Sequence, residues 1–138
     1  MGDIKLVEAL FRPRKIALVG ASANRGKTTS RAQRYLQKHG FDGEIYPINP
    51  NREEIFGLTT YPSLSDAPQQ IDHAFIMLGQ ESAFKAVHEC VALGIPCATL
   101  LSGGFAESGT VGLMRQLELL KIAHAGGLRI LGPNSIGM

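Results

Sequence analysis

The chain has 138 residues, of which 44% are hydrophobic, with 16 glycines and a formal net charge of +2. That length and composition suit one globular domain with a real core and exclude a disordered chain. The charge is too mild to point to nucleic acid or an acidic surface, and no apolar run approaches the ~20 residues that span a bilayer.

Asp3 and Glu8 interrupt any signal-peptide pattern at the N-terminus. The two cysteines, Cys90 and Cys97, fall in apolar surroundings, with no CxxC and no histidine at metal spacing. They read as reduced core residues of a cytoplasmic protein. No metal site is expected.

In chain order, Leu6 to Phe11 is a short helical lead-in ended by Pro13. Lys15 to Val19 is the first strand, and its continuous apolar run Ile16 to Val19 suits a strand covered on both faces. A turn bracketed by Gly20 and Gly26 follows. Thr28, Thr29 and Ser30 are N-cap candidates for a helix over about 28–39, with Ala32, Tyr35 and Leu36 inward and Gly40 as its stop. The second strand is about 44–48, closed by Asn49-Pro50-Asn51. Residues 52–68 read as irregular, with a short strand at 58–61.

The third strand is about 73–78. The next helix, about 81–93, carries Phe84, Val87 and Val91 on its buried stripe and stops at Gly94. The fourth strand, 96–101, leads into Ser102-Gly103-Gly104-Phe105. The last helix, about 108–125, places Val111, Met114, Leu117 and Leu120 inward and ends at Gly126 and Gly127. The fifth strand is 128–131, before Gly132-Pro133-Asn134-Ser135-Ile136-Gly137-Met138.

Strands alternating with helices imply an α/β fold, Rossmann-like and doubly wound, with a mainly parallel five-stranded sheet and helices on both faces. In such sheets the ligand sits beyond the carboxyl ends of the strands, at the switch point of strand order. Five loops are expected to ring one crevice there: Gly20 to Lys27, Asn49 to Arg52, Leu78 to Gln80, Ser102 to Phe105 and Gly132 to Asn134. The first of them leads into a helix N-terminus, whose free N–H groups and positive dipole end suit phosphate, and Arg25 and Lys27 add positive charge.

Two familiar fingerprints fit this loop badly. A dinucleotide site needs G-x-G-x-x-G and an acidic residue closing the second strand. Here Gly20 and Gly26 have no glycine between them, and the strand closes on Ile48-Asn49-Pro50. A Walker A loop is nearly matched by Ala21 to Thr28, with Lys27 on phosphate and Thr28 on magnesium. No acidic residue ends a nearby strand to hold that metal, since Asp72 precedes its strand.

The whole set of loops carries a third reading. Leu10-Phe11-Arg12-Pro13, Ile16 to Ser22, Tyr46-Pro47-Ile48-Asn49-Pro50, Tyr61-Pro62-Ser63-Leu64, Ser102 to Glu107 and Arg129 to Gly137 occur in this order. Together they resemble the N-terminal CoA-binding domain of the nucleoside-diphosphate-forming acyl-CoA synthetases. That superfamily includes ADP-forming acetyl-CoA synthetase and the succinyl-CoA synthetase α subunit. The resemblance covers essentially the whole chain, 1–138, as a single domain.

The resemblance implies coenzyme A as the ligand. Ser22, Ala23, Asn24 and Arg25 would line its phosphates, with Gly20 and Gly26 shaping the turn. Lys27 and Arg25 are candidates for charge pairing, the ribose 3′-phosphate among their targets. Asn49, Pro50, Asn51 and Arg52 would lie on the nucleotide side. Leu78 and Gly79 would flank the adenine, although the family commonly has a proline-containing turn there. Ser102 and Gly103 would follow the pantetheine arm, and Asn134 would point at the thiol end. Many relatives carry Cys where this chain has Ser135.

Family members transfer phosphate through a histidine of a later domain, and none of His39, His73, His88 and His124 sits in a matching motif. His73 reads as a structural histidine, His88 and His124 as surface or boundary residues. The resemblance therefore implies the N-terminal, CoA-binding part of a longer ligase, which by itself binds CoA and catalyses nothing. Its implied partners are CoA and further domains or subunits of the same enzyme, with neither nucleic acid nor membrane, and a homo-oligomer is allowed. The rival readings are a CoA-binding or regulatory module of a protein acetyltransferase and a stand-alone CoA-binding protein.

Overall fold

The computed structural model describes residues 13–21, 30–41, 43–67, 70–78, 80–100 and 109–131. Its elements are β1 (Lys15–Val19), α1 (Arg31–Lys38), β2 (Glu44–Ile48), β3 (Glu54–Ile55), β4 (Leu58–Thr59), a 3₁₀ turn (Leu64–Asp66), β5 (His73–Ile76), α2 (Gln80–Leu93), β6 (Cys97–Leu100), α3 (Thr110–Ala125) and β7 (Arg129–Leu131). Five strands form one sheet in the order β2-β1-β5-β6-β7, and every pairing in it is parallel. A single parallel bridge between Ile48 and Tyr61 extends the sheet outside β2. With that bridge counted, the strand order is the Rossmann one, its outer strand reduced to one residue.

Alternation along β1 divides the core. Ala17 and Val19 join Tyr46, Ile48, Ala74, Ile76, Ala98 and Leu100 on the face covered by α2 and α3, through Ala83, Val87, Cys90, Leu119 and Ala123. Ile16 and Leu18 face the other way, with Met77, Ile55 and Leu36 of α1. Helices therefore lie on both faces, as a parallel sheet requires. Each helix ends in a 6→1 backbone bond that satisfies an orphan carbonyl: Phe41 to Leu36, Ile95 to Cys90 and Leu128 to Ala123. The glycine stops expected from the sequence stand at these ends.

Three expectations change. The described part of the segment, 52–67, holds more regular structure than one short strand. β3 and β4 form an antiparallel hairpin whose turn residues Phe56 and Gly57 both have positive φ, 47° and 85°, as a two-residue hairpin turn needs. Gln33 and Gln37 of α1 hold it, donating to the carbonyls of Ile55 at 2.8 Å and Phe56 at 3.2 Å. The buried face of α1 accordingly includes Gln33, 1% exposed, while Tyr35 is 51% exposed. Ser30 takes the N-cap position without a side-chain bond to the helix, and Thr28 and Thr29 lie outside the described residues.

On α3 the inward residues are Gly112, Leu119 and Ala123, whereas Val111, Met114 and Leu117 are 73%, 65% and 58% exposed. The helix is apolar around most of its circumference, so its period does not set its phase. The phase follows from close packing on α2: Arg115 reaches Glu81 at 3.2 Å and lies over the Phe84 ring, and Gly126 leaves room for the Val91 side chain.

Candidate functional site

Val19 stands opposite Ile48 on one side and Ile76 on the other, so β1, β2 and β5 end at one level. The strand order reverses between β1 and β5, which makes this edge the switch point where α/β folds bind ligands. The backbone ladder continues past the strands: Gly20 N–H donates to the Ile48 carbonyl at 3.1 Å and Met77 N–H to the Val19 carbonyl at 2.8 Å. Gly20 has φ +90°, and a Cβ there would strike the Met77 carbonyl oxygen. Only glycine allows both this turn and this close strand approach.

A cleft of about 430 Å³ opens at this edge, within the roughly 300–1,000 Å³ range of small-molecule sites. Val19, Gly20, Ile48 and Leu78 form its floor, and Asn49, Pro50 and Asn51 one side. Pro62 and Ser63 also line it, together with Ser82, Lys85, Ala86 and Glu89 of α2. A second hollow, about 630 Å³, lies between α1 and the Phe56-Gly57 turn. It is larger, but it is remote from the strand ends where backbone groups converge, so the switch-point cleft is the candidate site.

Asn49 fixes the rim. Its amide donates to the Ala21 carbonyl at 2.9 Å, and its carbonyl oxygen accepts the Asn51 N–H at 2.8 Å. This Asx turn aims Pro50 and Asn51 along the cleft. Glu89 is held by Ser65, its Oε2 accepting from the Ser65 hydroxyl at 3.0 Å and, in a longer contact, from the Ser65 N–H at 3.4 Å. Lys85 makes no ion pair among the described residues.

Of the residues singled out in the sequence, Gly20, Asn49, Pro50, Asn51 and Leu78 come together in this cleft. Arg52 is exposed and is not among the lining residues. Ser22, Ala23, Asn24, Arg25, Gly26, Lys27, Gly79, Ser102, Gly103 and Asn134 lie outside the described residues. Sequence reasoning passed over Ser82, Lys85 and Glu89. The available signal was their spacing, which puts three polar side chains on one stripe of a helix otherwise read for its apolar one.

The remaining polar groups sit elsewhere. Asp72 stands at the amino end of β5, accepting the N–H groups of Arg14 and Lys15 at 3.0 Å each; it caps the start of β1 and is far from the metal position of a Walker site. His73 is buried, with its Nε2 at 2.7 Å from the Thr99 hydroxyl and its Nδ1 at 3.3 Å from Cys97 Sγ. His39, His88 and His124 are exposed. Cys90 and Cys97 are free and buried, and burial pushes both thiols up to about 12. Among the described residues no group of His, Cys, Asp or Glu could hold a metal ion, and no helix is long and apolar enough to cross a membrane.

A parallel doubly wound sheet with a glycine-floored cleft at its switch point defines a nucleotide-type binding domain of the Rossmann class. The chain belongs to the CoA binding domain family, whose pattern it matches over residues 14–138. It is 39% identical over 129 residues to acetate–CoA ligase [ADP-forming] II of Archaeoglobus fulgidus, covering 94% of this chain and 19% of that protein. Acetyl-coenzyme A synthetase 1 of Ca. Korarchaeum cryptofilum, solved in complex with phosphate and ADP, superposes with a TM-score of 0.91 at 39% identity, over 99% of this chain and 28% of that one. A hypothetical protein from Pyrococcus horikoshii OT3 superposes with a TM-score of 0.73 at 28% identity, over 95% of this chain and 84% of that one. The chain thus spans between about a fifth and under a third of the ligase sequences it matches.

Proposed function

We propose that this chain, as one domain over 1–138, binds coenzyme A at the carboxyl ends of β1, β2 and β5 and serves as the N-terminal CoA-binding part of an ADP-forming acyl-CoA ligase of the cytoplasm. The observation that supports this most is the switch-point cleft floored by Gly20 in a chain of the CoA binding domain family. The diphosphate is held by the loop Ser22 to Lys27 at the start of α1, where free N–H groups and the cations Arg25 and Lys27 meet it. The nucleoside occupies the cleft beside Asn49, Pro50, Asn51, Leu78 and Gly79, with Arg52 at its mouth. The pantetheine arm passes Ser102 and Gly103 toward Asn134.

In the whole enzyme an acid, CoA and ATP give acyl-CoA, ADP and phosphate. This chain's part is to hold and orient the thiol substrate. The phosphate-carrying histidine belongs to another domain, consistent with His73 being enclosed by Cys97 and Thr99.

A second reading, a self-standing CoA-binding module, is favoured by the Pyrococcus horikoshii OT3 protein, 84% of which this chain covers. Calorimetric titration of the chain with CoA, Mg-ATP and NAD⁺ tests the binding proposal common to both readings. CoA is expected to bind most tightly. Preference for Mg-ATP would restore the Walker reading, and preference for NAD⁺ or no binding of CoA would overturn the proposal.

A further inference from the structure

The α2 wall of the cleft carries its two ionisable side chains, Lys85 and Glu89. Ser82, Lys85 and Glu89 follow one another along the helix at i, i+3 and i+7, so they share one stripe. Ile48, Pro50 and Leu78 line the same cleft, and their apolar surfaces suit the flat faces of an aromatic base. Glu89 differs from an ordinary surface carboxylate because a separate element fixes it. Ser65, in the 3₁₀ turn, donates to its Oε2, while Oε1 makes no bond among the described residues. Lys85, one turn earlier, offers donors with no carboxylate partner among the described residues.

From this geometry, and resting on the CoA reading above, we infer that Glu89 is a specificity-determining residue that recognises the adenine base, its Oε1 accepting a hydrogen bond from the exocyclic amino group. Adenine presents a donor at its 6-position and an acceptor at ring N1. An anchored carboxylate meets the first, and the Lys85 ammonium meets the second. Hypoxanthine reverses both, placing a carbonyl oxygen where Glu89 needs a donor and an N–H where Lys85 needs an acceptor. Anchoring by Ser65 matters because a preset acceptor loses less rotamer freedom on binding.

The test is calorimetric titration of the 138-residue chain with CoA, adenosine 3′,5′-bisphosphate and inosine 3′,5′-bisphosphate, for the unaltered protein, Glu89→Gln and Ser65→Ala. The unaltered protein is expected to favour the adenosine ligand by about tenfold or more, the weight of one hydrogen bond to a charged group. Glu89→Gln, whose amide can present either a donor or an acceptor, is expected to bring the two ligands within about threefold of each other. Ser65→Ala, which frees the carboxylate without removing it, is expected to fall between. Thermal melting of each variant separates a lost contact from a lost fold. Failure of CoA and both bisphosphates to bind would overturn the CoA reading itself. Binding of CoA without base preference, or a preference that survives intact in folded Glu89→Gln, would overturn the role of Glu89 and leave the CoA reading standing.

Discussion

The side-chain amide of Asn49 donates to the carbonyl of Ala21 at 2.9 Å, tying the loop after β2 to the loop after β1 across 28 positions of sequence. The other end of the same side chain accepts the Asn51 N–H. Both polar ends of Asn49 are thus spent on the protein, and its contribution to the cleft is to set the spacing of two rims. Asn49→Ala should cost about 1–3 kcal/mol in urea denaturation, because the buried Ala21 carbonyl loses its partner, and should weaken CoA binding by roughly tenfold. Asn49→Asp keeps the acceptor for Asn51 but turns a carboxylate oxygen toward the Ala21 carbonyl. Equal behaviour of the Asn49→Asp variant and the unaltered protein in both measurements would show that the Ala21 bond is dispensable.

Gly20 carries the turn between these rims. With φ at +90° and the Met77 carbonyl oxygen in the way of a Cβ, Gly20→Ala should destabilise by ~2 kcal/mol or more. The denaturation midpoint is the measurement. A change below about 0.5 kcal/mol, the range of ordinary surface substitutions, would mean that the β1 and β5 ends separate freely.

Arg25→Glu reverses a charge in the loop expected to hold the CoA phosphates. CoA affinity should fall by at least about tenfold, with the melting temperature unchanged. The loss should shrink at high salt if the contact is exposed to solvent. Unchanged binding in a folded variant would remove Arg25 from the site.

On α3, Leu119 is fully buried while Val111, Met114 and Leu117 are exposed. Leu119→Ala should cost about 2–5 kcal/mol. Serine at positions 111, 114 and 117 should each change stability by no more than about 0.5 kcal/mol. The opposite ranking in chemical denaturation would reinstate the inward stripe read from the sequence.

Cys90 and Cys97 make alkaline stability a reporter of the core. Burial, with smaller contributions from Glu89 at Cys90 and Asp72 at Cys97, raises both thiols from an ordinary value of 9.0 to about 12. The unfolded chain then releases these protons before the folded one does, so stability falls as pH rises. The stabilisation is complete below about pH 9 and is lost progressively toward pH 12. Urea midpoints across that window should drop, and the drop should be smaller in the Cys90→Ala, Cys97→Ala double variant.

The sequence by itself determined the class of fold and the edge where a ligand belongs. Apolar runs at Ile16–Val19 and Pro96–Leu100, helices stopped by Gly40 and Gly94, and turn residues at Gly20 and Asn49-Pro50 are local signals, written within a few residues of where they act. Tertiary structure decided what depends on a neighbour distant in sequence. Gln33 is buried because the carbonyl of Ile55 needs a donor. Tyr61 becomes the edge of the sheet because Pro47 and Asn49 offer it backbone partners, its N–H donating to the Pro47 carbonyl at 3.0 Å and its carbonyl accepting the Asn49 N–H at 2.9 Å. α3 turns Val111 and Met114 outward because a helix apolar on most sides takes its phase from packing, with Gly126 at its end making room for Val91 of α2. Glu89, which lines the cleft, is held by Ser65, 24 positions earlier, a partner that only the fold supplies.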